Sequence, residues 1–177
     1  MEVTLQFVIT EHLLETRIGS IFARRWTVPG QQAPVVLLHD SLGSVEQWRE
    51  FPALLAVRLG RSVVAYDRLG FGRSEARIEI PGPDFIDIEA RVNLPVVLEA
   101  LNIGGHILLG HSVGGAMAIA SASYNSSSCL AVVTESAQAF VEERTLEGIR
   151  AAKQSFLVPK EFARIEKWHG EKASWAL

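Results

Sequence analysis

The sequence predicts a doubly wound α/β fold, a mostly parallel sheet with helices on both faces and an antiparallel pair of strands at its start. Three observations lead there. Val35-Val36-Leu37-Leu38, Val63-Val64-Ala65-Tyr66, Ile107-Leu108-Leu109 and Leu130-Ala131-Val132-Val133 are apolar at every position, as strands covered on both faces are. Helical stretches separate them, so strand and helix alternate from residue 35 to 136. The third is Gly110-His111-Ser112-Val113-Gly114, which joins a strand to the small-residue helix Ala116-Met117-Ala118-Ile119-Ala120 and sets a serine at the carboxyl edge of the sheet.

The elements follow in order. Leu5, Phe7 and Ile9 alternate with more polar residues, and Gly19-Ser20 precedes Ile21-Phe22-Ala23, giving two strands that pair antiparallel at a sheet edge. His12 reads as a surface or turn residue between them, and Arg24-Arg25 as a solvated face. After Val35–Leu38 comes the loop His39-Asp40-Ser41-Leu42-Gly43-Ser44, at the strand end where open sheets place ligand contacts. Ser44 and Gln47 have the spacing of a capping box. One helical face then carries Val45, Trp48, Phe51, Leu55 and Leu59, and Gly60 stops the helix.

The next strand runs into Asp67-Arg68-Leu69-Gly70-Phe71-Gly72-Arg73-Ser74. Gly70-Phe71-Gly72 lacks the third glycine of a dinucleotide loop and opens no helix. Asp67 and Arg68 suit the bracing of adjacent loops. Asp84 caps a helix with Phe85, Ile88 and Val92 inward, and Pro95 kinks or splits it. His106 begins the strand before the serine turn and is expected to be exposed. Cys129 starts the last strand as core filler. From Glu142 the pattern becomes helical, with a thin stripe at Leu146, Ile149 and Phe156. A second helix opens at Pro159, with Phe162, Ile165 and Trp168 or His169 inward, and ends at Gly170. Trp168, Trp175, Phe140 and Phe156 either line an apolar site or fill core.

Composition narrows the function. A chain of 177 residues with 48% hydrophobic content can bury the core of a single domain. A net charge of -3 offers no footprint for nucleic acid or an anionic membrane. No apolar run spans a bilayer and the N-terminus does not read as a secretory signal, so a cytoplasmic location is the expectation. No histidine or cysteine cluster has metal-ligand spacing, and neither metal nor cofactor is expected.

The motif Gly110–Gly114 has the form of a nucleophile elbow, a turn so tight that glycines must flank the serine. A serine hydroxyl needs a histidine to take its proton and a carboxylate to orient that histidine.

With the elbow, the His39 loop and the Asp67–Ser74 stretch in this order, residues 1–140 resemble the α/β-hydrolase superfamily. The resemblance implies Ser112 as nucleophile and an oxyanion hole made by the backbone N–H groups of Ser41 and Val113. Asp40 stands where members carry glycine. It also implies an α/β-hydrolase core over residues 1–138 and the start of a helical cap or lid over 139–177. The family's last two strands, which bear the acid and the histidine, have no counterpart. No aspartate follows Ser112, and the only later histidine is His169. Glu135 lies where some members place the triad acid. His39, His106 and His111 read as packing or surface residues.

The leading expectation is therefore a serine hydrolase acting on ester or related acyl bonds of a small molecule, in a truncated form without a convincing base. Carbon–carbon bond hydrolysis and cofactor-free haloperoxidase chemistry are the runner-up activities on the same elbow. The alternative is a non-catalytic binding or partner protein on the same fold. In either case the strand ending near Thr134 becomes a sheet edge able to pair with another chain, a second copy included.

Overall fold

In the computed structural model, which describes residues 7–138 and 140–177, the four apolar runs form the parallel centre of a six-stranded sheet. The expected strand start at Leu5 and the division at residue 139 lie outside the described residues. The strands are β1 (Val8–Thr16), β2 (Gly19–Thr27), β3 (Val35–Leu38), β4 (Val63–Tyr66), β5 (His106–His111) and β6 (Cys129–Glu135), in the order β1-β2-β4-β3-β5-β6. β1 and β2 form the antiparallel pair, β2 runs antiparallel to β4, and β4, β3, β5 and β6 are parallel.

Successive residues of each strand feed opposite faces. Val36, Leu38, Val64, Tyr66 and Leu108 join one core with helices α3 (Leu94–Ala100) and α4 (Val113–Tyr124). Val35, Leu37, Val63 and Ala65 join another with Val45 and with Ala56 of helix α1 (Phe51–Leu59). β3 and β4 are wholly buried for this reason.

Several local expectations give way to tertiary partners. The Ser44–Gln47 capping box does not form. The buried carboxylate of Asp67 takes the Val45 N–H at 2.6 Å, and the Gln47 amide donates to the Leu42 carbonyl. The single helix expected from residue 45 is a 3-10 turn, Val45–Trp48, followed by α1, which ends at Gly60 in the left-handed region. In the next helix the inward residues are Glu89, Ala90 and Asn93, while Ile88 and Val92 are exposed. Helix α2 (Phe85–Ile88) passes through a π turn, Glu89–Asn93, before α3. That turn brings Glu89 inside to accept hydrogen bonds from the Tyr66 hydroxyl (2.5 Å) and the Asn93 amide (2.8 Å). Asp84 makes no side-chain cap, and Asp87 binds the Tyr124 hydroxyl and Arg91 instead.

Other residues move between surface and interior. His12 lies within β1 opposite Ala23, not in a turn. Arg24 is not solvated; it is clamped between Glu11 and Glu46. His106 is 1% exposed, its Nδ1 donating to the Gly104 carbonyl at 2.8 Å. Cys129 is half-buried because β6 is the sheet edge, with Leu130 and Val133 open to solvent. Beyond residue 140 lie α5 (Glu143–Ser155), α6 (Pro159–His169), a 3-10 turn at Gly170–Lys172 and α7 (Ala173–Ala176). Ile165 and His169 of α6 are buried, whereas Ile149 of α5 is exposed. No helix among the described residues is long and apolar enough to cross a membrane.

The contrast between the centre and edge strands is measurable. Leu108→Ala, in the middle of β5, is expected to cost about 2–5 kcal/mol in urea unfolding. Leu130→Ala on β6 should stay within about 0.5 kcal/mol of the parent.

Candidate active site

The site is built where β3 and β5 end side by side, Leu38 being in register with Gly110. Ser112 has φ 54 and ψ -122, a backbone that a side-chain-bearing residue adopts only when its surroundings force it. The surroundings here are glycines. A Cβ on Gly110 would fall far inside contact distance of the Gly114 carbonyl, and one on Gly114 would collide with the Leu38 carbonyl oxygen. β5, the first turn of α4 and the end of β3 are thus packed backbone on backbone. The turn is tied to β6 by the Ser112 N–H donating to the Glu135 carbonyl at 2.9 Å.

Ser41 and Val113 line one cavity of about 490 Å³, with Phe71, Phe85, Met117 and Trp175 supplying apolar wall. Neither the Ser41 nor the Val113 backbone N–H has a hydrogen-bond partner among the described residues. Two such donors beside a serine are what an oxyanion requires. The loop bearing Ser41 is held from both sides. The Asp40 carboxylate accepts the Leu42 N–H at 3.0 Å, and the Asp40 carbonyl accepts from His39 Nδ1 (2.8 Å) and Arg68 (2.7 Å). Asp40 has no positive φ, so the glycine expected at its position is not required there.

The histidines are occupied. His39 is buried, with Nδ1 donating to the Asp40 carbonyl and Nε2 accepting the Arg68 N–H at 3.1 Å, and burial holds its pKa well below the ordinary value. His169 Nδ1 accepts the Gly72 N–H at 2.8 Å and Nε2 donates to the Leu42 carbonyl at 2.9 Å. Both bonds fix it as a neutral imidazole, and burial lowers its pKa. His111, beside Ser112 in sequence, reaches Glu135 with Nε2 (2.8 Å) and Asp40 with Nδ1 (3.5 Å). Glu135 is exposed and also accepts from the Ser136 hydroxyl at 2.6 Å.

Asp67 and Arg68 brace the loops. Besides Val45, Asp67 accepts the Arg73 N–H at 2.7 Å, and its carbonyl takes the Ser74 hydroxyl at 2.6 Å. Gly72 leaves room for that carboxylate, which a Cβ would strike. Of the four aromatics singled out in the sequence, Trp175 reaches the main cavity. Trp168 and Phe156 line a separate one with Leu42, and Phe140 is exposed. Arg77, Phe85 and Met117 also line the main cavity; the spacing of its helix predicts Phe85 inward, and nothing in the local spacing marks Arg77. No group of three or more His, Cys, Asp or Glu among the described residues could hold a metal ion.

The chain belongs to the alpha/beta hydrolase fold family, whose sequence model matches residues 33–169. Over 98 residues it is 35% identical to the human (lyso)-N-acylphosphatidylethanolamine lipase, covering 52% of this chain and 28% of that protein. It is 38% identical over 90 residues to a proline iminopeptidase of Lactiplantibacillus plantarum, covering 50% of this chain and 30% of the relative. The matched stretch thus spans less than a third of each relative. Among solved structures, a membrane phospholipase A described as a bacterial virulence factor superimposes with a TM-score of 0.72 at 19% identity, covering 90% of this chain and 51% of the other. That likeness establishes the shared fold.

The buried Asp67 gives a pH test. Burial raises its pKa from 3.8 to about 6 against the pull of its two N–H donors. A carboxyl raised on folding binds its proton more readily folded than unfolded. Its favourable contribution is therefore complete below about pH 4 and is lost as pH rises through about 6. In urea unfolding at pH 4.5 and pH 7, the parent should lose about 2 kcal/mol relative to Asp67→Asn as pH increases. An unchanged difference between the two proteins would show that Asp67 is ionised throughout.

Proposed function

We propose that this chain is the nucleophile-bearing part of a serine hydrolase acting on ester or related acyl bonds of small molecules. Ser112 attacks the carbonyl carbon, and the N–H groups of Ser41 and Val113 hold the oxyanion that forms. Each such donor is worth about 3 kcal/mol of barrier. The observation that carries the reading is the conjunction of a glycine-framed, strained Ser112 with unpartnered N–H groups on Ser41 and on its neighbour Val113, two residues that line one cavity, although Ser112 is not itself among that cavity's lining residues. The relatives named as a lipase and an iminopeptidase support acyl-bond cleavage, and the apolar wall favours the ester of a hydrophobic acid over a peptide.

The base is not among these histidines. His39 and His169 have both ring nitrogens bonded to backbone, His106 is buried away at the start of β5, and His12 sits on the outer strand. His111 is spanned by two carboxylates. In this reading further polypeptide supplies the histidine, and Glu135 orients it after exchanging its present partner, His111. Residues 1–138 then act as core and 139–177 as the start of a cap, in a cytoplasmic protein. Fluorophosphonate labelling with peptide mapping tests this. The intact gene product should be modified at Ser112, and the 177-residue chain alone should react only at background rate. Rapid labelling of the isolated chain would place the base within it; failure of both to label would exclude the hydrolase.

A second reading rests on the edge strand. Among the described residues β6 pairs only with β5 and leaves Leu130 and Val133 exposed, which suits a non-catalytic partner protein that adds a strand from another chain. Sedimentation of the isolated chain should then show a dimer. A strictly monomeric profile at high concentration contradicts pairing through β6.

A further inference from the structure

The cavity beside Ser41 and Val113 holds two arginines, Arg68 and Arg77; none of its lining side chains is a carboxylate, and Leu177, whose terminal carboxylate belongs to this 177-residue chain, lines it without forming an ion pair with either arginine. Arg68 is 3% exposed, and its guanidinium donates to the carbonyls of His39 (2.5 Å) and Asp40 (2.7 Å). Arg77 is half-buried; its Nε donates to the Leu69 carbonyl at 2.8 Å, and its two terminal nitrogens have no partner among the described residues. Neither arginine forms an ion pair within the described chain. Glu89 and Asp40 favour the charge of Arg68 from farther off, while Arg77 opposes it. Glu89 is already committed to Tyr66 and Asn93. Arg77 also borders a neighbouring cavity with Glu75 and Glu79, yet pairs with neither, and Glu75 accepts the Ser20 N–H.

Withdrawing a cation from water is costly unless a counter-charge meets it. Two guanidinium groups in one apolar cavity raise that cost and set up a positive field that an anion relieves. The planar fork of arginine fits a carboxylate or phosphate through paired N–H bonds, and the free end of Arg77 offers that fork. Phe85, Met117 and Trp175 supply the surface for a hydrocarbon segment between the anion and the reacting carbonyl.

We propose that the acyl compound bound at this site carries a carboxylate or phosphate group, that Arg77 binds this anion directly, and that buried Arg68 supports it electrostatically. The placement of the acyl group rests on the serine-hydrolase reading; the anion preference rests on the arginines.

Calorimetric titration of the Ser112→Ala protein, which binds without turnover, tests it. Monomethyl and dimethyl suberate share a chain and an ester and differ by one carboxylate; octyl phosphate and octanol form the phosphate pair. The charged member of at least one pair should bind about tenfold tighter or more, as a charge-assisted bidentate contact allows. Arg77→Gln should bring that ratio within about twofold of unity, and Arg77→Lys should retain part of it. The tighter of the two anions identifies the group. Equal binding of charged and neutral ligands, a preference that survives Arg77→Gln, or no binding of either pair overturns the proposal. Failure of the intact gene product, as well as of the isolated chain, to label at Ser112 would overturn the hydrolase reading and leave this result standing.

Discussion

The constraint that sets the serine turn is backbone against backbone, where the first turn of α4 meets the carbonyl of Leu38. Gly114 can approach that carbonyl only because it has no Cβ, and Gly110 clears the Gly114 carbonyl for the same reason. The approach fixes how far β5 and α4 stand from β3. It therefore fixes how the Ser112 turn faces the loop that carries Ser41. The strain at Ser112 is maintained by a core that closes on both sides of the sheet, with Leu108, Val113 and Met117 buried in one layer.

A second set of contacts makes the loops behave as one piece. Asp67 gathers N–H groups from Val45 and Arg73, Arg68 grips the carbonyls of His39 and Asp40, and His169 joins Gly72 to Leu42. Phe71 sits edge-on to both His39 and His169, with Arg68 over its ring. The helical segment after residue 140 is thereby attached to the loop above β3 through a histidine that has no spare nitrogen for chemistry. Positive charge is the by-product of this bracing, since Arg68 uses its donors on carbonyls and leaves its charge uncompensated by any contacting carboxylate.

Fold class, strand order of appearance and the serine turn were legible in the sequence because they rest on local rules. Runs apolar at every position mean strands buried on both faces, and a serine among glycines between strand and helix means a tight turn. What could not be read was any partner distant in sequence. Ser44 has the spacing of a cap, yet its hydroxyl makes no cap bond, and the adjacent Val45 N–H goes to the distant Asp67 carboxylate. Ile88 and Val92 have the spacing of a buried stripe, yet the Tyr66 hydroxyl draws Glu89 inward and turns that face away. His106 looks like a surface residue until the Gly104 carbonyl and the neighbouring strand enclose it. For the candidate site, Ser112 was legible in the serine turn and Ser41 and Val113 in the family resemblance, whereas the role of His169 as a tie and the presence of Arg77 in the cavity depend on contacts that no spacing encodes.

Ser112, the proposed nucleophile, stands apart from histidines whose ring nitrogens are already engaged elsewhere. A long-range proton–nitrogen NMR spectrum of the five imidazoles, recorded from pH 5 to 8 on the parent and on Ser112→Ala, reads this directly. His39 should appear as the Nδ1–H tautomer and His169 as the Nε2–H tautomer, with all five side chains indifferent to loss of the serine hydroxyl. A histidine whose tautomer or titration changes in Ser112→Ala would be the missing proton acceptor and would contradict that separation.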